Sequence, residues 1–133
     1  MFDKEKIISF ERITLRLSGM RMTEEYETTA EDDRARLCRY AVLYSDGEDR
    51  RRLEESVITD TAAVIGILND CNIMRWDGFV GKNPPFVLDG VMFTFEAAVN
   101  NGRVIRASGS NNFPKHFNTF RNFLFEQLSG KSS

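Results

Sequence analysis

The chain is poor in the residues that build metal sites and disulfides. Its 133 residues include two cysteines, one histidine, three prolines and one tryptophan. With a single His, no zinc-type spacing of Cys and His exists, and no metal or other cofactor is expected. Cys38 and Cys71 fall among apolar neighbours, one in a predicted strand and one in a predicted helix. They read as buried reduced thiols. Long apolar runs are missing too. Met1-Phe2-Asp3-Lys4-Glu5-Lys6 lacks the apolar core of a signal peptide, and no later stretch approaches membrane-spanning length. The expectation is a cytoplasmic protein with no membrane partner. Charge of one sign is also lacking: 18 basic and 20 acidic side chains leave a formal net charge of -2. That balance exerts no global pull toward nucleic acid, which is not an expected partner.

Hydrophobic residues at 41% and charged residues at 29% suit a globular chain. The length suits a single domain, residues 1–133, with a core that needs no covalent staples. Residues 7–18 read as a strand, with Ile13, Leu15 and Leu17 alternating against Thr14, Arg16 and Ser18. Ile8 and Phe10 sit on the opposite phase, which a bulge near Glu11-Arg12 reconciles. Residues 20–35, with Glu24, Glu25, Glu27, Glu31, Asp32 and Asp33, show no apolar period and read as a long solvated connection. Residues 36–45 return to strand character with apolar groups on both faces, as a central strand requires, and Ser45-Asp46-Gly47 ends them as a turn.

Residues 50–58 fit either a helix or a short edge strand. A helix follows, capped by Thr59 and ending near Asn72, with Ala62, Ile65 and Leu68 as its apolar stripe and Ala63 and Val64 at the edges. Residues 73–90 form a long loop rich in turn residues but anchored by Trp76, Phe79 and Phe86.

Residues 91–109 form the clearest hairpin. Val91, Phe93, Phe95, Ala97 and Val99 alternate, and Asn100-Asn101-Gly102 supplies the turn. A two-residue turn would bring Arg106 onto the Phe93/Phe95 face. A three-residue loop with Gly102 left-handed brings Ile105, Ala107 and Gly109 there instead, and is the register expected. Ser108-Gly109-Ser110-Asn111-Asn112-Phe113-Pro114 then joins strand to helix, with Gly for backbone freedom, Ser and Asn as caps and Pro114 at the first helical position. The last helix is expected over about 114–128, with Phe113, Phe117, Phe120, Leu124 and Leu128 as its stripe, Phe123 beside it and Phe125 well off it. The order ββα–loop–ββα predicts an α+β fold: a four-stranded antiparallel sheet with two helices on one face.

Trp76-Asp77-Gly78-Phe79, then Asp89-Gly90, then Ser108-Gly109-Ser110-Asn111 with Pro114, resembles a group of small uncharacterised bacterial proteins. There a Trp-(Asn/Asp)-Gly-Phe loop precedes an Asp-Gly strand start, and a Gly-rich turn with Pro opens the last helix. The likeness covers roughly the C-terminal half and implies no reaction. Residues 20–35 match nothing in it.

Each candidate site has two readings. Trp76 and Asp77 suit a sugar or a cationic group, or else Trp76 and Phe79 plug the sheet end while Asp77-Gly78 turns the chain. Ser110, Asn111 and Asn112 at a helix start suit an anion, assisted by Lys115 and His116, or else they only cap the helix. Asp77, Asp89 and Glu96 are the acidic groups near the loops, and two of them precede Gly as ordinary turn residues. His116 has no Cys or Ser partner nearby in sequence. Arg50-Arg51-Arg52, with Arg34, Arg36 and Arg39, forms a basic cluster suited to an acidic partner or nucleic acid, or else neutralised within the chain by flanking Glu48, Asp49, Glu54 and Glu55 and by the acidic run at 24–33. Phe125 is a candidate interface residue, more so if Phe2 or Phe86 joins it.

The expected function is a non-enzymatic binding or protein-interaction module, working as a homo-oligomer or with a protein partner. By analogy, a toxin-neutralising partner or an operon accessory protein would suit the size and charge. The alternative is a sugar- or anion-binding protein or enzyme, with Trp76, Asp77, Ser110 and His116 converging between the 73–90 loop and the last helix.

Overall fold

The computed structural model describes residues 6–19, 22–82 and 90–130. Four strands come first: β1 (Phe10–Ser18), β2 (Thr23–Glu31), β3 (Arg34–Ser45) and β4 (Glu48–Asp60). Helix α1 (Thr61–Asp70), a 3-10 turn (Ile73–Trp76), the two-residue strand β5 (Val80–Gly81), β6 (Met92–Val99), β7 (Arg103–Ser110) and α2 (Phe117–Ser129) follow. The strands form one seven-stranded sheet in the order β4-β3-β2-β1-β6-β7-β5. All pairings are antiparallel except β5 with β7, which is parallel. The α+β class and the two helices on one face hold. The four-stranded antiparallel sheet and the ββα–loop–ββα order do not.

The physical reason lies in β2 and β4. Residues 23–31, expected as a solvated connection, are a strand in mid-sheet. Tyr26 and Thr28 point into the core, while Glu24, Glu25, Glu27 and Glu31 each meet an arginine of β1, β3 or β4. The acidic run thus does pair with the basic cluster. An acidic strand becomes stable in a sheet when opposite charges flank it. Residues 50–58, which fit either a helix or a short edge strand by pattern, lie within the 13-residue edge strand β4.

Other readings hold closely. The register shift in β1 falls between Phe10 and Arg12, at the expected bulge. Ile8, however, is exposed, while Ile7 is buried. Strand β3 is internal, and Asp46 and Gly47 both take positive φ in a two-residue turn between Ser45 and Glu48. The β6–β7 register pairs Phe95 with Ala107 and Ala97 with Ile105. The three-residue loop is as expected, but Asn100 and Asn101 carry the left-handed angles (φ 47° and 61°), with Gly102 at 120°.

The core lies between one sheet face and the two helices. Leu15, Ile13, Phe93, Phe95, Ala97, Val99, Ile105 and Leu37 cover the sheet side; Val64, Leu68, Phe117, Phe120, Leu124 and Leu128 cover the helix side. Each large side chain removed from water here contributes about 2–3 kcal/mol. The α1 stripe runs through Val64 and Leu68; Ala62 and Ala63 are exposed. Thr59 lies within β4 and does not cap α1, whose first residue follows Asp60. Helix α2 begins at Phe117, later than expected, after a left-handed His116 (φ 69°) and without a side-chain cap. Pro114 therefore precedes the helix, accepting the Phe117 N–H through its carbonyl.

Candidate functional site

Trp76 is 2% exposed and sits at the centre of the aromatic core. Its ring lies 4.9 Å from Phe95 and 5.8 Å from each of Phe117 and Phe120. Its indole N–H donates to the Lys115 carbonyl at 3.1 Å. That bond ties the 3-10 turn to the chain entering α2. The plugging reading of Trp76 therefore describes its surroundings.

The neighbouring polar residues bind backbone. Asp77 Oδ1 accepts the Arg106 N–H at 3.0 Å, and the Gly78 N–H donates to the Arg106 carbonyl at 2.9 Å. Asn111 pairs with Val91 in both directions, its N–H donating to the Val91 carbonyl and its Oδ1 accepting the Val91 N–H. Asn112 donates from Nδ2 to the Lys82 carbonyl at 3.5 Å. Ser110 pairs with Met92 at the end of β7. These hydrogen bonds of Asn111 and Asn112 run to Val91 and Lys82, and α2 has no side-chain cap. They close the sheet end instead.

Gly109 serves this closure by its size. An added Cβ would lie 2.2 Å from the Asn112 carbonyl oxygen and 2.7 Å from the Phe93 ring. Backbone freedom is not what Gly109 supplies; the left-handed residue in the segment is Asn111, at φ 55°.

The expected convergence is therefore partial. A cleft of about 170 Å³ brings Trp76 and His116 together with Cys71, Asn72, Arg75, Phe79, Pro114 and Lys115. Asp77, Ser110, Asn111 and Asn112 are not among its lining residues. Of the three acidic groups near the loops, Asp77 and Glu96 both meet Arg106, Glu96 accepting from its Nε at 2.7 Å. Asp89, Phe2 and Phe86 lie outside the described residues. Phe125 is 52% exposed on the outer side of α2. Among the described residues, no group of three His, Cys, Asp or Glu side chains is placed to hold a metal ion.

The larger concavities lie on the other side of the sheet. There no described helix covers the strands. A groove of about 720 Å³ runs over β1, β6 and β7. Its floor is Thr14, Thr94, Ala98, Val104 and Ser108, and Arg12, Glu96, Arg106 and Val80 border it. A second groove of about 390 Å³ lies between Arg16, Thr23, Val42, Tyr44, Asp49 and Thr94.

Ion pairs link this face across four strands. Arg12 meets Glu27; Arg51 reaches Glu25 at 2.7 Å and Glu27 at 3.6 Å; Arg16 meets Asp49 at 3.0 Å. The Arg51 guanidinium stacks over the Tyr40 ring at 4.1 Å, a cation–π contact. Its hydrogen bond to Glu25 holds the Arg51 pKa above its ordinary value despite partial burial. Burial, with Cys38 nearby, raises that of Tyr40. Arg16 Nε is shut off from solvent with no acceptor among the described residues.

This face went unnoticed as a site in the sequence, though its signal was there. Thr94 and Glu96 in β6, and Arg106 in β7, form the polar phase of the same alternation that located the hairpin.

No family model, curated protein or solved structure matches the chain. The likeness noted for Trp76–Phe79 and Ser108–Asn111 thus brings no assigned chemistry. No described helix is long and apolar enough to cross a membrane.

Proposed function

We propose that the protein is a non-enzymatic interaction module that takes a protein partner on the open face of its sheet. The observation that carries this reading is the 720 Å³ groove, floored by small side chains and edged by charges of both signs. A polyanion such as nucleic acid would favour a continuous basic track. Here Arg12, Arg51 and Arg106 alternate with Glu27, Glu25 and Glu96, which suits a protein segment of mixed charge. Small-molecule sites are more enclosed and gather a few convergent polar groups, which this groove does not.

The test uses Ala98→Arg, which fills the groove floor with a long cation while leaving the helix-covered core intact. Wild-type and variant proteins of matched circular dichroism are used as bait in native extract. A stoichiometric protein held by wild type and lost by Ala98→Arg supports the reading. Equal retention by both overturns it.

A second reading has one observation in its favour. The 170 Å³ cleft carries Arg75, Lys115 and His116 around the Trp76 edge, a set suited to a small anion. It predicts a rise in melting temperature with phosphate or sulfate that Lys115→Ala removes. A melting temperature indifferent to both anions discards it.

A further inference from the structure

Strand β4 is one edge of the sheet and its longest strand, with 13 residues. Its outer side has no partner strand among the described residues. Long exposed edges invite pairing, and proteins usually blunt them with charge or a bulge. This edge carries both devices, but its charges are ordered in an unusual way. Arg51-Arg52-Leu53-Glu54-Glu55 reads as its own charge complement when the direction is reversed about Leu53.

We propose that two copies of this chain associate through the outer edges of β4, antiparallel about Leu53. Arg52 of each copy then faces Glu54 and Glu55 of the other, and Leu53 meets its own counterpart. This uses the sheet edge and does not depend on the open-face groove.

Symmetry narrows the choice of register. A two-fold axis normal to the sheet keeps each residue on the same face as its copy, and directly opposed residues share a face. The axis must therefore pass through a residue opposite itself. Centred on Arg52 or Glu54, it would oppose like charges. Centred on Leu53, it opposes apolar to apolar, and Leu53 is 53% exposed.

Local geometry agrees. Arg52 and Glu54 already form an ion pair at 3.0 Å within one chain, so they share a face. The Arg52 side of that pair is 63% exposed, so exchanging it for the equivalent pair between chains costs little. Glu54 is the extra residue of the bulge, since Leu53 pairs with Tyr40 and Glu55 with Arg39. The two-fold sets each copy's bulge opposite Arg52 of the other, so Glu54 and Glu55 together face that one arginine on either side of the axis.

Sedimentation equilibrium of the full chain is expected to show a reversible dimer at concentrations on the order of micromolar or above, as a small polar interface gives. Arg52→Glu should weaken it at least tenfold, and Arg52→Glu combined with Glu54→Arg should recover it. Leu53→Cys should form a disulfide-linked dimer under mild oxidation, and Ile58→Cys, on the same strand but off the axis, should not. The native Cys38 and Cys71 are buried and give little background. A wild-type monomer up to about 1 mM would overturn the proposal. So would a dimer indifferent to Arg52→Glu, a double variant no better than the single one, or cross-linking as fast at position 58 as at 53.

Discussion

Around β6 and β7, the sheet lies beneath Trp76, Phe117 and Phe120, and Phe93, Phe95 and Ile105 are at most 2% exposed. In the far half of the β3–β4 hairpin, Leu43, Tyr44 and Leu53 are exposed and the strands are held by backbone bonds and ion pairs. One end is stabilised by apolar burial, which salt does not screen. The other depends on charge pairs of low individual worth. The same sheet thus has one end held by apolar packing and one held by polar contacts.

The largest expected effect tests the apolar end. Trp76→Ala removes an indole packed against three rings and frees the Lys115 carbonyl from its donor. A loss of about 4 kcal/mol is expected, read from urea unfolding. A loss below about 1 kcal/mol would mean that the aromatic cluster is not what secures this end.

Asn100 comes next. Its Oδ1 accepts the Ile8 and Ser9 N–H groups, its Nδ2 donates to the Lys6 carbonyl, and its φ is 47°. Asn69 grips Ile7 in the same bidentate fashion. Asn100 thus holds the segment before β1 against the β6–β7 turn, and Asn69 holds it against α1. Asn100→Ala should cost about 3 kcal/mol: three hydrogen bonds at about 0.5–1 each and about 1 for left-handed backbone. Asn100→Gly keeps the angle and loses only the bonds, so its smaller loss divides the two terms.

Alkaline pH should strike the covered side of the sheet. Burial, helped by Asp70, pushes the Cys71 thiol up to about 11 from an ordinary value of 9.0. Burial, with the Glu24 hydrogen bond, also raises Tyr26. Both folded-state values exceed the unfolded ones. Their contribution is complete below pH 9 and fades as pH climbs, with the Cys71 part gone above about 11. The expected loss from Cys71 is about 3 kcal/mol, at about 1.4 per unit. Chemical denaturation at pH 8, 10 and 11 measures it, and Cys71→Ala should leave only the decline due to Tyr26, which begins near the ordinary tyrosine value of 10.0. An unchanged profile in Cys71→Ala would remove the thiol from this account.

The contrast between the two ends also explains what was legible in the sequence. The β6–β7 hairpin showed its register because its alternation, its turn residues and the need to keep Arg106 off the apolar face are all local. The α2 stripe was equally visible. Strands β2 and β4 were not, because their charges are answered from far along the chain: Glu25 by Arg51, Glu27 by Arg12 and Arg51. A pattern of Glu and Thr looks solvated until those arginines are placed. The candidate site residues are dispersed for a related reason. Asp77 and Asn111 have the chemistry of ligand groups, but backbone amides at Arg106 and Val91 reach them first. Trp76 and His116 do line one cleft, because the indole bond to Lys115 draws the start of α2 against the 3-10 turn.

Arg51 gives the smallest effect and the sharpest test of the polar end. It contacts Glu25, Glu27 and Tyr40, and the two carboxylate side chains are only 15% and 12% exposed. Partial burial lifts this network above an isolated surface pair, yet Arg51 itself is 38% exposed and screened by solvent. Arg51→Ala should therefore cost no more than about 1 kcal/mol globally. The loss should be local, as faster amide exchange in residues 40–53 with β6 and β7 unchanged. Arg51→Met keeps much of the stem over the Tyr40 ring and removes the charge, so it separates packing from attraction. If either variant destabilised the whole molecule as much as Trp76→Ala, the two ends would form one cooperative unit. The polar end would then be part of the scaffold, not a surface carried by it.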